Sequence, residues 1–271
     1  NGWSAFKIAA HKEKINAMRL LIEVNANINT KDNDGSTPLM DAAGAGQNNV
    51  VRLLLDAKAD IGMKDKNGWN ALMVAANEDQ VEVMRLLIAA GAQLEDRDKN
   101  GWTAFMIAVN NQKIEAIKLL LRAGADPNAR DKYEGVPLMA AAIKGNEQII
   151  QLLLAAGPNV NAKNINGNTA LMFAAKYGHF RVVQLLLNSR ANIDAQNNDG
   201  WTPLMLAVDK GHAEIVELLL RSNADVRFIN NAKQTALNIA ADRDNQKILG
   251  LLEAESSTKQ MLSAPNTMSI R

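Results

Sequence analysis

One pattern recurs eight times along this 271-residue chain at a spacing of 33, without an insertion or deletion. Stepping from Ala5 reaches Pro38, Ala71, Ala104, Pro137, Ala170, Pro203 and Ala236. Alanine stands four residues after each, from Ala9 to Ala240, and leucine pairs recur from Leu20-Leu21 to Leu251-Leu252. Such a period specifies an array of stacked repeats, each packed on its neighbours, rather than a globule with one core. A formal net charge of +1 leaves no basic footprint for nucleic acid. No apolar run approaches the ~18 residues needed to span a bilayer. Without cysteine the chain has neither disulfides nor thiolate metal sites, and its redox compartment stays open.

Each repeat carries the same local instructions. Asp-Gly or Asn-Gly at 34-35, 67-68, 100-101, 166-167 and 199-200 specifies a tight turn, because glycine accepts positive φ. Ser4, Thr37, Asn70, Thr103, Thr169, Thr202 and Thr235 then stand where a helix wants an N-cap, and proline follows at the first helical position in three repeats. This first helix is short, ending near Gly46, Gly145, Gly178 and Gly211. A second helix is apolar at i, i+3 and i+4, as in Val50-Val51…Leu53-Leu54, and Gly91, Gly124 and Gly157 suit left-handed C-caps.

The grammar Thr-Pro-Leu-x-x-Ala-Ala, Gly-His before the second helix (Gly178-His179, Gly211-His212) and the leucine runs resemble ankyrin repeats. The resemblance covers residues 1–254. It implies an all-α ankyrin-repeat solenoid of helix-turn-helix units joined by β-hairpin loops, with boundaries near 37/38, 70/71, 103/104, 136/137, 169/170, 202/203 and 235/236. Residues 255–271 lack the grammar and read as a tail, helical near Lys259 to Leu262. Where the family usually has histidine after Pro-Leu, this chain has Met40, Met73, Met106, Met139, Met172 and Met205, a variant resembling bacterial ankyrin proteins. Packing between repeats explains this ladder more simply than a cofactor does. Lys7 and Asn238 replace methionine in the first and last repeats, and with Gly250 and Glu253 they suggest polar end caps.

For function the resemblance implies a non-enzymatic protein-binding scaffold, acting as a monomer on a protein partner through the concave face and hairpin tips. Trp3, Trp69, Trp102 and Trp201 share one position beside the turns and suit binding anchors, or equally a cover for the neighbouring turn. Lys66, Lys99 and Lys132 lie at the tips, Tyr133 beside the last of them, and Lys144, Tyr177 and Lys210 at the ends of first helices. Asp32, Asp65, Asp98 and Asp131, replaced later by Asn164, Asn197 and Asn230, stand one repeat apart, too far for a catalytic pair, and suit turn capping. No catalytic constellation, cofactor motif or metal-ligand spacing appears. The chain begins at Asn1, already inside a repeat, and reads as a processed or excised form. The competing reading is the ankyrin targeting portion of a secreted bacterial effector or periplasmic factor, with its chemistry elsewhere. The turn at 131–137 breaks the grammar, with Glu134 in the glycine position, which predicts a shift of the turn onto Gly135 and a re-aimed Tyr133.

Overall fold

The computed structural model describes residues 2–263, with side chains to residue 255. Among the described residues sixteen helices form eight pairs. They are α1 (Ala5–His11) with α2 (Ile15–Glu23), α3 (Pro38–Gly44) with α4 (Asn48–Asp56), α5 (Ala71–Asn77) with α6 (Val81–Ala89), and α7 (Ala104–Asn110) with α8 (Ile114–Ala123). Then follow α9 (Pro137–Lys144) with α10 (Glu147–Ala155), α11 (Ala170–Tyr177) with α12 (Phe180–Asn188), α13 (Pro203–Asp209) with α14 (Ala213–Arg221), and α15 (Ala236–Asp242) with α16 (Gln246–Ser263). The last helix takes in the Lys259 to Leu262 stretch expected to be helical, while residues 264–271 of the tail lie outside the described residues.

The contacts group into two compact units, Asn1–Ala141 with Ala155–Pro158, and Ala142–Leu154 with Asn159–Arg271. In the first, α1, α3, α5 and α7 pack successively, as do α2, α4, α6 and α8. In the second, α11, α13 and α15 pack in one row and α12, α14 and α16 in another. Each junction buries leucine and small alanine: Leu54, Leu87, Ala43 and Ala76 in the first unit, Leu186, Leu219, Ala175 and Ala207 in the second. Burying one such leucine fully contributes roughly 1.5–3 kcal/mol.

The expected caps are all present. The side chains of Ser4, Thr37, Asn70, Thr103, Thr169, Thr202 and Thr235 each accept a hydrogen bond from the backbone N–H three residues on. The methionine ladder does more than fill space. Met40 and Met172 return the bond, their Sδ atoms accepting from the N–H of Thr37 and Thr169 at 3.4 Å. Asn238 does the same with an amide oxygen, at 2.9 Å from the Thr235 N.

The connecting hairpins are shorter than expected: among the described residues none forms a strand. Each is a single turn. Asp98 N–H donates to Trp102 O and Gly101 N–H to Asp98 O, both at 3.0 Å, while Asp98 Oδ1 accepts from Asn100 N at 2.7 Å and Trp102 N at 2.8 Å. Asn164 and Asn197 make the same two side-chain bonds with an amide oxygen, which is why aspartate and asparagine interchange.

Two expectations fail. Glu134 does not push the turn onto Gly135. It takes φ +61 itself, in the position where Gly101 has φ +80 and Gly167 φ +77. Asp131 Oδ1 still accepts from Tyr133 N and Gly135 N at 2.8 Å, so Tyr133 is not re-aimed. Keeping those bonds outweighs the ~1–2 kcal/mol that a left-handed conformation costs an L-residue.

The second failure concerns Lys7. Leu252, in the last repeat, is 1% exposed, and its neighbours Ile239 and Ile248 are also buried, so the repeat before covers these three positions. Their counterparts Leu21, Ile8 and Ala17 are half-buried or exposed in the first repeat. The ladder position behaves in the opposite way: Lys7 is 1% exposed whereas Asn238 is exposed, so this position faces the repeat that follows. Lys7 is therefore an internal cation and not an outward cap. Its Nζ lies 2.6 Å from Asp32 Oδ2, 3.0 Å from Asp41 Oδ2 and 2.8 Å from Ser36 O. Asn238, Gly250 and Glu253 do face solvent.

Candidate binding surface

The turns are tied to one another by main-chain bonds. In the first unit Lys66 N donates to Asp34 O, Lys99 N to Asn67 O and Lys132 N to Asn100 O, at 2.9–3.0 Å. A Cβ added to Gly68 or Gly101 would approach the next tip's backbone nitrogen to 2.9 Å, so glycine there serves close approach as well as positive φ. The basic residues before the aspartates extend the tie: Lys31 Nζ donates to Lys64 O at 2.6 Å, Lys64 Nζ to Arg97 O at 3.0 Å, and Arg97 Nη1 to Arg130 O. In the second unit Lys163 Nζ donates to Gln196 O at 2.7 Å.

On this scaffold the first unit presents the exposed side chains of Lys66 and Lys99, with Lys132 held over the Tyr133 ring at 4.9 Å and bonded to Asn100 Oδ1 at 2.7 Å. Trp69 and Trp102 are half-buried beside these turns, and their Nε1 atoms donate to the next turn's Asp98 and Asp131 Oδ2 at 3.2 and 3.3 Å. These indoles therefore cover the neighbouring turn while leaving part of each ring open. Trp3 stands apart, edge-on to His11 at 4.9 Å, with Lys7 Nζ 5.7 Å from its ring.

The second unit holds a cavity of about 270 Å³ between the turns and the ends of the first helices. Trp201, Phe173, Met172 and Leu206 form its apolar walls, and Lys176 and Lys210 stand at the helix-end side. Tyr177 is exposed next to it, its ring 5.6 Å from Lys176 Nζ. Asp209, also in the lining, is bonded by Lys210 Nζ at 2.9 Å and Arg243 Nε at 3.0 Å. Burial raises the pKa of its carboxyl, but the hydrogen bonds and charges of Lys210 and Arg243 outweigh that and hold it below 3.8.

The structure thus brings Trp201 and Lys210 into one lining with Tyr177 beside it, sets Trp69, Trp102, Lys66, Lys99, Lys132 and Tyr133 along the turns of the first unit, and leaves Lys144 exposed at the end of α9 outside the cavity lining. Sequence reasoning missed Phe173, Leu206 and Arg243. The first two occupy the position after the ladder methionine, where other repeats carry Ile8, Asp41, Val74, Ile107, Ala140 and Ile239, and the aromatic ring of Phe173, the only one at this position, was the available signal.

Two of the three histidines tie repeats together: His179 Nε2 donates to Ile143 O at 2.9 Å and His212 Nε2 to Lys176 O at 3.1 Å, each joining the start of a second helix to the first helix of the preceding repeat. Among the described residues no group of three or more His, Asp or Glu side chains could hold a metal ion, and no helix is long and apolar enough to cross a membrane.

Family models for ankyrin repeats match residues 1–65 and 57–131 (the three-copy description) and 138–187 and 173–220 (the many-copy description). The chain belongs to the ankyrin repeat family. No curated protein matches it. Ankyrin repeats are generally protein–protein interaction modules.

Proposed function

We propose that this ankyrin array is a non-enzymatic scaffold that binds a protein partner across its turns and first-helix ends. The observation that carries the reading is the cavity at Trp201. Its volume accommodates a side chain, its walls combine Trp201, Phe173, Met172 and Leu206 with the polar Asn168, Asn197, Asp199, Asp209, Lys176 and Lys210, and a half-buried tryptophan is the residue type that most often dominates binding energy. Within the first unit Trp69, Trp102 and Tyr133 offer anchors along the turns with Lys66, Lys99 and Lys132 as a polar rim and Trp3 apart from them; in the second unit Lys210 and Tyr177 border the cavity, and Lys144 is exposed at the end of α9. Because backbone ties between turns hold the surface rigid before docking, binding loses little conformational entropy.

Peptides selected from a displayed random library on the immobilised protein provide the test. Trp201→Ala should weaken the selected peptides by on the order of 30-fold, the effect of losing a ~2 kcal/mol hot spot, with the circular dichroism spectrum preserved. Affinity unchanged by Trp201→Ala and by Phe173→Ala would remove the cavity from the binding surface.

A further inference from the structure

The residue that opens each turn changes chemistry around the cavity at Trp201. In the first unit Asp98 and Asp131 hold this place, and the second oxygen of each accepts from the indole N–H of Trp69 and Trp102. In the second unit Asn197 and Asn230 hold it. Asn230 Oδ1 is committed to the Gln234 N–H at 2.9 Å, which leaves an NH2 group where the aspartates offer an oxygen; that group donates to Gln234 Oε1 at 3.2 Å. Among the described residues nothing accepts from Trp201 Nε1. The same exchange acts one repeat earlier. Asn197 Oδ1 accepts from the N–H groups of Asp199 and Trp201, so its Nδ2 donates to Asn168 Oδ1 at 2.9 Å and leaves Asn168 Nδ2 without an acceptor among the described residues. Lys176 Nζ stands 5.6 Å from the Tyr177 ring and pairs with no carboxylate among the described residues. Trp201, Asn168 and Lys176 all line the one cavity. Of its two carboxylates, Asp209 is matched by Lys210 and Arg243, and Asp199 is exposed at a turn tip, where water weakens its field.

We propose that the cavity takes an acidic peptide segment of the partner. An apolar side chain of the segment enters between Phe173, Trp201 and Leu206, and Asp or Glu residues beside it give carboxylate oxygens to the donors of Trp201, Asn168 and Lys176. This rests on the cavity being a protein-binding site and adds the chemistry that the site selects. Three donors without acceptors favour a group that brings oxygens and no hydrogen of its own, and an ionised carboxylate is that group. An amide brings a competing donor and no charge. A lysine or arginine of the partner leaves all three donors unmet, and unmet donors in a closed contact count against the wrong ligand more than a good bond counts for the right one. Asparagine at 197 and 230 thus keeps the turn bonds that aspartate makes elsewhere while releasing the outward donors for recognition.

Two displayed libraries of short peptides, alike except that one carries Asp and Glu where the other carries Asn and Gln, are the probes, selected on the immobilised protein. Binders should come from the acidic library. Asn230→Asp should weaken them about tenfold, because the new carboxylate takes the Trp201 N–H as Asp98 takes that of Trp69. Asn231→Asp adds the same charge at the exposed neighbouring residue and should leave affinity nearly unchanged. Trp201→Phe, which keeps an aromatic wall and removes the N–H, and Lys176→Gln should each weaken binding about tenfold with circular dichroism preserved. Equal recovery from the two libraries, no binder from the acidic one, or acidic binders that Trp201→Phe leaves unweakened overturns the proposal, as does equal weakening by the two introduced aspartates. Amide-library binders that Trp201→Ala still weakens keep the cavity as the binding site and sink only its acidic preference. Binders indifferent to both Trp201→Ala and Phe173→Ala sink the cavity reading as well.

Discussion

Lys7 stands where six other repeats carry methionine, and it makes the first junction electrostatic as well as apolar. With its Nζ held by Asp32, Asp41 and Ser36 O, removing the side chain takes the counter-charge from two carboxylates that are then left with their bonds from the Asp34 and Ser36 N–H groups and the Ser36 hydroxyl. Lys7→Ala should cost about 3 kcal/mol, the low end for breaking a buried pair. Lys7→Met should cost less, because a flexible thioether refills the volume and Asp65 shows that the turn bonds form without a lysine. The pair also writes a pH dependence. Burial raises the pKa of Asp32, but the Lys7 bond, the N–H groups of Ser36 and Asp34 and the Lys7 charge together take it below 3.8. A folded-state pKa below the unfolded one stabilises fully above pH 3.8, and the contribution is lost as pH falls through 3.8 towards the folded value. Urea titrations between pH 7 and pH 3 should therefore show a steeper acid loss in the parent chain than in Lys7→Met. The residue type alone suggested an outward-facing charge, since lysine is almost never fully buried. A 33-residue period assigns positions to faces but does not say which face looks forward and which back; only the two ends, read against each other, tell them apart.

At the scale of the element, each helix pair depends on neighbours because two short helices cannot bury an apolar side alone. Leu120 of α8 is fully buried within the first unit, and Leu120→Ala should cost roughly 2–5 kcal/mol by opening a cavity. Leu252 of α16 is nearly as buried, but its repeat has a neighbour on one side among the described residues. Leu252→Ala should chiefly fray α15 and α16, seen as faster hydrogen exchange there with a small shift in the global midpoint; equal midpoint shifts for the two variants would contradict nearest-neighbour stacking. The helices were legible because caps, proline and glycine fall at fixed offsets, and the structure uses every hydroxyl and amide cap foreseen. The turn at Glu134 was misread because its geometry depends on an energy balance. Asp131 keeps its two side-chain bonds, and their value exceeds the strain that the residue name advertises. The cavity was only half legible. Trp201 and Lys210 were visible as variable residues at known positions, but Phe173 and Leu206 look like core leucine-type residues until the turns are placed over them.

For the molecule as a whole, stability is a sum of repeat and junction contributions rather than one cooperative core. The calorimetric enthalpy of unfolding should therefore exceed the van't Hoff value, and circular dichroism and tryptophan fluorescence should give non-coincident transitions, since Trp3, Trp69, Trp102 and Trp201 report on particular repeats. Coincident transitions with equal enthalpies would show the junctions to be stronger than nearest-neighbour stacking implies. The forward and backward faces of a repeat are different surfaces, one carrying the methionine ladder and the other the leucine of Leu21 and its counterparts. A contact between unlike faces has no dyad, so copies meeting end to end would add head-to-tail, into a ring or a fibre rather than a two-fold dimer. Exposed Asn238, Gly250 and Glu253 withhold the apolar surface such growth needs, and the last repeat thereby acts as a chain terminator against polymerisation.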